Sequence, residues 1–280
     1  MCDERHRPRD PELTVSTHKD LLRTHFDSYA RTWHERLTNH VYAMRYRAVE
    51  RMVAHQFFGS VLDVGCGTGD FAQLFDPART YYVGIDISES MIAESRRLYP
   101  AHQFKVADGD SIDAADSSVD LVLSIGVLEY LPDPLSHLKE LARVTKPGGT
   151  IIVTVPNESN RSRQFDEPIR RLIDSAPGKW LRRVMRRPSQ TRPKVRTVVK
   201  DASIRHRHMT VDELRGIGMT AGLALVEYSH VSLYLVSELI PGAASLNDVV
   251  SRALSDRPYG TWLQRKTALV LVAKLEKLRS

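Results

Sequence analysis

The chain has 280 residues, 42% hydrophobic and 26% charged, with a formal net charge of +6. That balance suits one soluble globular domain, or one domain with a modest cap. Cys2 and Cys66 are too few for a disulfide framework and point to a reduced, cytoplasmic setting. The opening residues MCDERHRPRDPEL lack the apolar core of a secretory signal. No apolar run approaches the roughly 20 residues of a membrane span.

Charge is unevenly placed. Between Arg161 and His208 there are 15 Lys/Arg against 4 Asp/Glu, a local +11 that leaves the remainder at −5. Basicity belongs to one segment, which argues against a whole-body nucleic-acid binder.

In chain order, residues 1–16 are polar and Pro-containing and are expected to be a disordered tail. Residues 17–58 read as a helical cover, with Leu22, Phe26, Tyr29 and Trp33 at helical spacing. Short apolar runs then alternate with helical segments. Strands are expected at 60–64, 81–87, 104–107, 119–124, 150–155, 224–228 and 268–275. A helix is expected to start at 70–75 and a turn at 146–149, with helices at 90–99, 134–144 and 211–221, the last opened by a Thr210–Glu213 capping box and followed by Gly222. This alternation predicts an α/β doubly wound seven-stranded sheet, six strands parallel and one antiparallel, within a domain over 17–280. Residues 156–208 break the rhythm and read as an inserted cap with a short helix near 169–185. A further helix is expected within 236–265.

The most informative stretch is Val61-Leu62-Asp63-Val64-Gly65-Cys66-Gly67-Thr68-Gly69. A strand feeds a turn with glycine at alternate positions, so the backbone passes close to a ligand and the next helical turn offers free N–H groups. A dinucleotide site is the rival, but its fingerprint is G-x-G-x-x-G. Here the pattern is G-x-G-x-G with Asp63 before it and Asp70 after it. Added carboxylates repel a diphosphate and attract the ammonium of an amino-acid zwitterion. Asp86 ends the next strand, where an acid accepts hydrogen bonds from ribose hydroxyls. Asp108-Gly109-Asp110 follows the third strand, where a carboxylate can take an adenine amino group. The run Val119–Tyr130 brings a fourth strand and its turn beside the same place.

Taken in order, LDVGCGTGDF, GIDIS, ADGDS, SVDLVLSIGVLEYLPDP and LARVTKPGGTIIVTVPN resemble the class I S-adenosylmethionine (SAM)-dependent methyltransferases, which have a Rossmann-like fold. The resemblance runs from about Phe26 to Val155 and returns near 209–227 and 268–275. It implies SAM as cofactor and S-adenosylhomocysteine as product. It implies that Gly65, Cys66 and Gly67 line the methionine and ribose portions, with Asp63 near the ligand amine. Asp86 holds the ribose diol, Ile87 and Met91 pack near adenine, and Asp108 with Gly109 meets the adenine amine. Ile125 meets the methionine end, and Tyr29 or Trp33 closes over the cofactor.

PNESNRSR and HRHMTVDELR are similar to segments of the ubiquinone-biosynthesis O-methyltransferases. Some of those enzymes keep metal-binding positions in the turn after the fourth strand. Here Gly126, Glu129 and Tyr130 stand there, so no metal is expected, and Glu129 reads first as a surface helix residue. Methyl transfer needs a base only for a protonated acceptor, and His208 is the candidate for that role. His137 reads as a surface helix residue. The basic insert reads as a solvated cap, a lid over a hydrophobic acceptor, or a dock for a carrier protein, a CoA-like phosphate or an anionic membrane surface. The expected activity is methylation of a small, largely apolar acceptor on oxygen, in quinone or secondary-metabolite biosynthesis. The alternatives are an RNA or protein methyltransferase using the insert, and a SAM-binding protein without methyl transfer, regulatory or cyclase-like.

Overall fold

The computed structural model of the protein describes residues 15–33, 40–160, 204, 206–233, 249 and 266–279. Three helices come first: α1 (Val15–Asp27), α2 (Ala30–Trp33) and α3 (His40–Val53). The sheet comprises β1 (Ser60–Val64), β2 (Tyr81–Asp86), β3 (Gln103–Val106), β4 (Val119–Ile125), β5 (Thr145–Pro156), β6 (Leu223–Leu233) and β7 (Ala268–Lys277). Helices α4 (Glu89–Leu98), α5 (Pro134–Val144) and α6 (Val211–Thr220) connect them.

The seven strands run in the order β3-β2-β1-β4-β5-β7-β6. Neighbours pair in parallel from β3 to β5, and β7 is antiparallel to both β5 and β6. The expected seven strands, six in one direction and one reversed, are therefore all present. Leu121, Val122 and Leu123 are fully buried in succession, as a strand covered on both faces requires.

Each face carries its own apolar layer. On one, Leu138 and Leu141 of α5 and Leu214 of α6 pack against Val64, Val122, Ile151 and Val153. On the other, Met44, Ala48, Val49 and Met52 of α3 pack against Val61, Leu121, Leu123 and Ile152. Positions 44, 48 and 52 form a helical stripe, and its burial leaves Tyr42, Arg45 and Tyr46 on the adjoining face.

Local chemistry sets the boundaries. Asp133 caps α5 by accepting from the N–H groups of Leu135 and Ser136, with Pro134 at the first helical position. Thr210 and Glu213 form the expected capping box, and Gly222 takes a left-handed φ of 78° after α6. Two local readings are corrected. The segment Asp70–Leu74 is a 3-10 turn rather than the start of an α-helix. Residues 146–149, expected as a turn, lie inside a β5 that begins at Thr145, with Gly148 at φ 76°.

The chain leaves β5 and returns to the same spot. Asn157 bridges to Met209 in parallel, and Met209 N–H donates to the Pro156 carbonyl at 3.0 Å. The insert expected over 156–208 thus departs from and rejoins the carboxyl end of β5. Its residues 161–203 and 205, including the helix expected at 169–185, lie outside the described residues, as do most of 236–265 and residues 1–14 of the tail expected over 1–16, whose last two residues instead open α1. No helix among the described residues is long and apolar enough to cross a membrane.

Candidate functional site

Strand order reverses between β1 and β4, so the connections at their carboxyl ends diverge and open a crevice, the usual ligand position in such sheets. The main cavity lies there. It is lined by Gly65, Cys66 and Gly67 after β1, Asp86 and Ile87 after β2, Asp108–Asp110 after β3 and Ile125–Val127 after β4. Helices α1–α3 roof it with Lys19, Leu22, Phe26, Trp33, Tyr42, Arg45 and Tyr46.

The glycine turn has the geometry its composition requires. Gly65, Gly67 and Gly69 have φ of 71°, 54° and 77°, in the left-handed region that side chains disfavour. A Cβ on Gly65 would stand 2.3 Å from Val127 Cγ2. Gly65 and Cys66 N–H both donate to the Ile85 carbonyl, at 2.8 and 3.0 Å, which ties the turn to β2.

Asp86 receives the Gly67 N–H on Oδ2 and the Ser88 N–H on Oδ1, both at 2.9 Å. Each oxygen keeps a lone pair for a further donor, so a ligand diol finds two acceptors side by side. Burial pushes the Asp86 carboxyl up, against the two N–H groups that favour its ionised form. Asp63 is 1% exposed and accepts a 2.6 Å hydrogen bond from the Tyr82 hydroxyl. Burial pushes its carboxyl up to about 7, despite the Tyr82 bond. Burial also pushes the Cys66 thiol well up, so it is a packing group rather than a nucleophile. Met91 is 1% exposed on α4, against the cavity beside Ile87.

At the far end, Lys19 of α1 donates to Asp108 Oδ2 at 2.5 Å and stands 2.8 Å from Asp110 Oδ2. Burial works to lower the Lys19 pKa, but the two carboxylates outweigh it and hold the ammonium above its ordinary value. Asp108 Oδ1 accepts from Asp110 N–H, so this carboxylate already serves the protein on both oxygens. A second tie holds α1 down, where Ser88 Oγ donates to Asp27 at 2.5 Å.

Of the expected cofactor residues, the structure brings Trp33, Asp63, Gly65, Cys66, Gly67, Asp86, Ile87, Met91, Asp108, Gly109 and Ile125 to one cavity. Trp33 lies over the glycine turn, with its Nε1 at 3.3 Å from where a Gly67 Cβ would be. Tyr29 is not among the cavity residues and packs against His25 at 5.2 Å. His208 is exposed and also lies outside the cavity lining, because the turn before α6 directs His206, not His208, toward Tyr130.

Two surface assignments are corrected. His137 is 1% exposed, because its face of α5 turns toward the sheet. Its Nε2 is 3.1 Å from Ser124 Oγ and its Nδ1 3.6 Å from Asp110. His137 and Lys19 together hold the Asp110 carboxyl down at about 2. Glu129 is 6% exposed in a 3-10 turn (Leu128–Tyr130), where Arg207 N–H fixes its carbonyl at 2.8 Å.

Sequence reasoning missed Lys19, Tyr42, Arg45, Tyr46, Phe71 and His137 as cavity residues. The signal available for α3 was the polar and aromatic stripe beside its apolar one. Nothing in the sequence said that Lys19 would meet Asp108. Among the described residues, no group of three or more His, Cys, Asp or Glu side chains is placed to hold a metal ion.

The comparisons with known proteins agree with this geometry. Residues 62–153 match the family described as a methyltransferase domain. The chain is 26% identical over 227 residues to a Mycolicibacterium smegmatis protein named a probable S-adenosylmethionine-dependent methyltransferase, covering 81% of this chain and 77% of that protein. It is 34% identical over 129 residues to a trans-aconitate 2-methyltransferase of Azoarcus, covering 45% of this chain and 47% of that one. The chain thus spans about half the length of that second relative. Among solved structures, a magnesium protoporphyrin IX methyltransferase of Synechocystis with bound S-adenosylhomocysteine superposes with a TM-score of 0.59 at 14% identity, over 92% of this chain and 99% of that one. Residues 62–153 therefore match a methyltransferase domain, the sheet has the Rossmann-like class I methyltransferase fold, and the cofactor is S-adenosylmethionine.

Proposed function

We propose that the chain transfers a methyl group from SAM to oxygen on a small, largely apolar acceptor, in quinone or secondary-metabolite biosynthesis. The observation that carries this reading is the two-part character of the cavity. One part offers the glycine turn, Asp86 and Asp63 to a charged nucleoside. The other is walled by aromatic rings. Phe26 meets Trp33 at 5.5 Å and Tyr130 at 5.4 Å, and Tyr46 stacks on Phe71 at 5.5 Å. Such walls bury an apolar body and leave a few polar groups to orient it. That one relative is named for a small organic acid supports an acceptor of small-molecule size.

When bound, SAM supplies an electrophilic methyl group on a sulfonium. The chain's own residues do the rest. Asp86 holds the ribose through its two free lone pairs, and Asp63 faces the ligand amine. Trp33 and Phe26 keep water from the reacting end, so that holding acceptor and methyl carbon in line supplies most of the rate gain. Ile87, Met91 and Gly109 give the adenine its flat apolar slot, and Ile125 bounds the methionine end.

The test is incubation with methyl-tritiated SAM and a metabolite extract, with and without nuclease and protease digestion. Label should pass to organic-extractable small molecules and survive both digestions. Label confined to RNA or protein would overturn the reading. Tight SAM binding without label transfer would point instead to a regulatory or cyclase-like use of the fold.

A further inference from the structure

The cavity holds a pair of opposite charges outside the proposed cofactor contacts. Arg45 projects from the face of α3 next to its buried stripe, and its guanidinium lies over the Tyr42 ring at 5.2 Å. Glu129 lies across from it in the turn after β4. Both flank Gly126. A Cβ built on that glycine would stand 2.8 Å from Arg45 Nη1 and 3.5 Å from Glu129 Oε1.

Two atoms of the pair are buried without a partner. Arg45 Nε and Glu129 Oε2 have no hydrogen-bond partner among the described residues. A buried carboxylate oxygen left so costs free energy unless something else meets it. Glu129 is 6% exposed and lines the cavity, so its carboxyl group meets the cavity rather than bulk solvent. Gly126 is held at φ 76° while its N–H donates to Thr154 Oγ1 at 2.8 Å. The missing side chain keeps the space between the two charges open.

This place adjoins the glycine turn, because Val127 is the residue a Gly65 Cβ would strike. The rings of Tyr42, Tyr46 and Tyr130 line the same region. An occupant here needs one donor for Glu129, one acceptor for Arg45 and an apolar body for the rings. An aromatic hydroxyl meets all three needs. A carboxylate acceptor has no proton for Glu129 and meets its negative charge, and an ammonium meets the positive charge of Arg45.

We propose that Gly126, Arg45 and Glu129 form the acceptor subsite, and that it takes a phenolic hydroxyl, which donates to the Glu129 carboxylate and accepts from Arg45. Resting on the function proposed above, the step balances as follows. The phenol oxygen forms a bond to the methyl carbon as the carbon–sulfur bond breaks. The sulfur keeps that electron pair and becomes a neutral thioether. The phenolic proton passes to Glu129 and then to solvent. The products are a methyl ether, S-adenosylhomocysteine and one proton. Glu129 is the base of this step, in place of the exposed His208.

The experiment uses the full chain with phenol, 2-naphthol, 4-nitrophenol, benzoate and benzylamine as probes, and reads methyl transfer from labelled SAM beside calorimetric SAM affinity. Wild type should methylate the phenols and neither benzoate nor benzylamine. Glu129→Gln should keep SAM affinity within about threefold and slow transfer to phenol by about 10²- to 10⁴-fold, the usual span for a general base. It should slow 4-nitrophenol much less, because that acceptor ionises unaided near neutral pH. Glu129→Asp should recover part of the loss. Equal slowing of both phenols, transfer to benzoate or benzylamine alone, or no transfer to any phenol by a chain that binds SAM would overturn the subsite. Loss of SAM binding in the wild type would instead overturn the function on which it rests.

Discussion

The two halves of the cavity are built in different ways. The cofactor half comes from strand ends and the short connections after them, within about three residues of the strand that aims each group. Gly65, Asp86 and Asp108 stand at or just after the ends of neighbouring parallel strands, so sheet register brings them together. The acceptor half comes from helices distant in sequence. Trp33, Arg45 and Glu129 share a wall only because α2 and α3 fold over the crevice. Chemistry written in a local motif is therefore legible before folding, whereas chemistry assembled across elements is not.

This contrast predicts that the halves respond separately to substitution. The largest effect is expected at Gly65. Gly65→Ala forces a Cβ against Val127 in a left-handed backbone, so SAM affinity should fall at least about 100-fold, near 3 kcal/mol. In the other half, Tyr46→Phe should leave SAM affinity within about threefold. Isothermal calorimetry on both variants checks the pair, and equal losses would break the contrast.

A smaller effect concerns protons. Because burial holds the Asp63 carboxyl near 7, the free chain carries it about half protonated at neutral pH. The cationic amine proposed to face it favours the carboxylate, so binding should expel roughly half a proton at pH 7 and strengthen from pH 6 to pH 8. Titrations in buffers of different ionisation heat measure that release. Asp63→Asn should abolish it, and an unchanged proton count in that variant would show that another group carries it. The sign for stability runs the other way. A carboxyl raised above its ordinary value destabilises the free fold progressively as pH rises from about 4 to about 7, so Asp63→Asn should melt higher than wild type at pH 8.

The smallest effect is expected at Lys19. Its pairs with Asp108 and Asp110 are partly exposed, with side-chain exposures of 24%, 41% and 36%. Such pairs contribute little and weaken with salt. Lys19→Met should loosen α1 and speed SAM release by less than about tenfold, with the difference shrinking at high salt in stopped-flow measurements.

How far the sequence reached follows the same division. Short apolar runs between turn residues marked all seven strands, and period-3.6 patterns with caps marked the helices over 134–144 and 211–221, because each segment's burial agrees with its own pattern. His137 was misjudged because a lone polar residue among α5's apolar positions reads as solvent-facing. Only the packing of α5 shows it reaching back to Ser124. Glu129 was misjudged for a related reason, since its turn packs against α3 and against Arg207, which returns from beyond the insert to bind its carbonyl. His208 shows the limit from the other side. The motif places a histidine near the acceptor end, and two residues of register decide which histidine faces Tyr130.

The most direct measurement is calorimetric titration of S-adenosylhomocysteine into the wild type and Asp86→Ala, with NAD as a control ligand. Saturable binding at one site per chain is predicted, weakened by about 1–3 kcal/mol in the variant as a charged acceptor is lost, with no heat from NAD. Undiminished affinity in Asp86→Ala, or a wild type that binds NAD and ignores S-adenosylhomocysteine, would contradict the account.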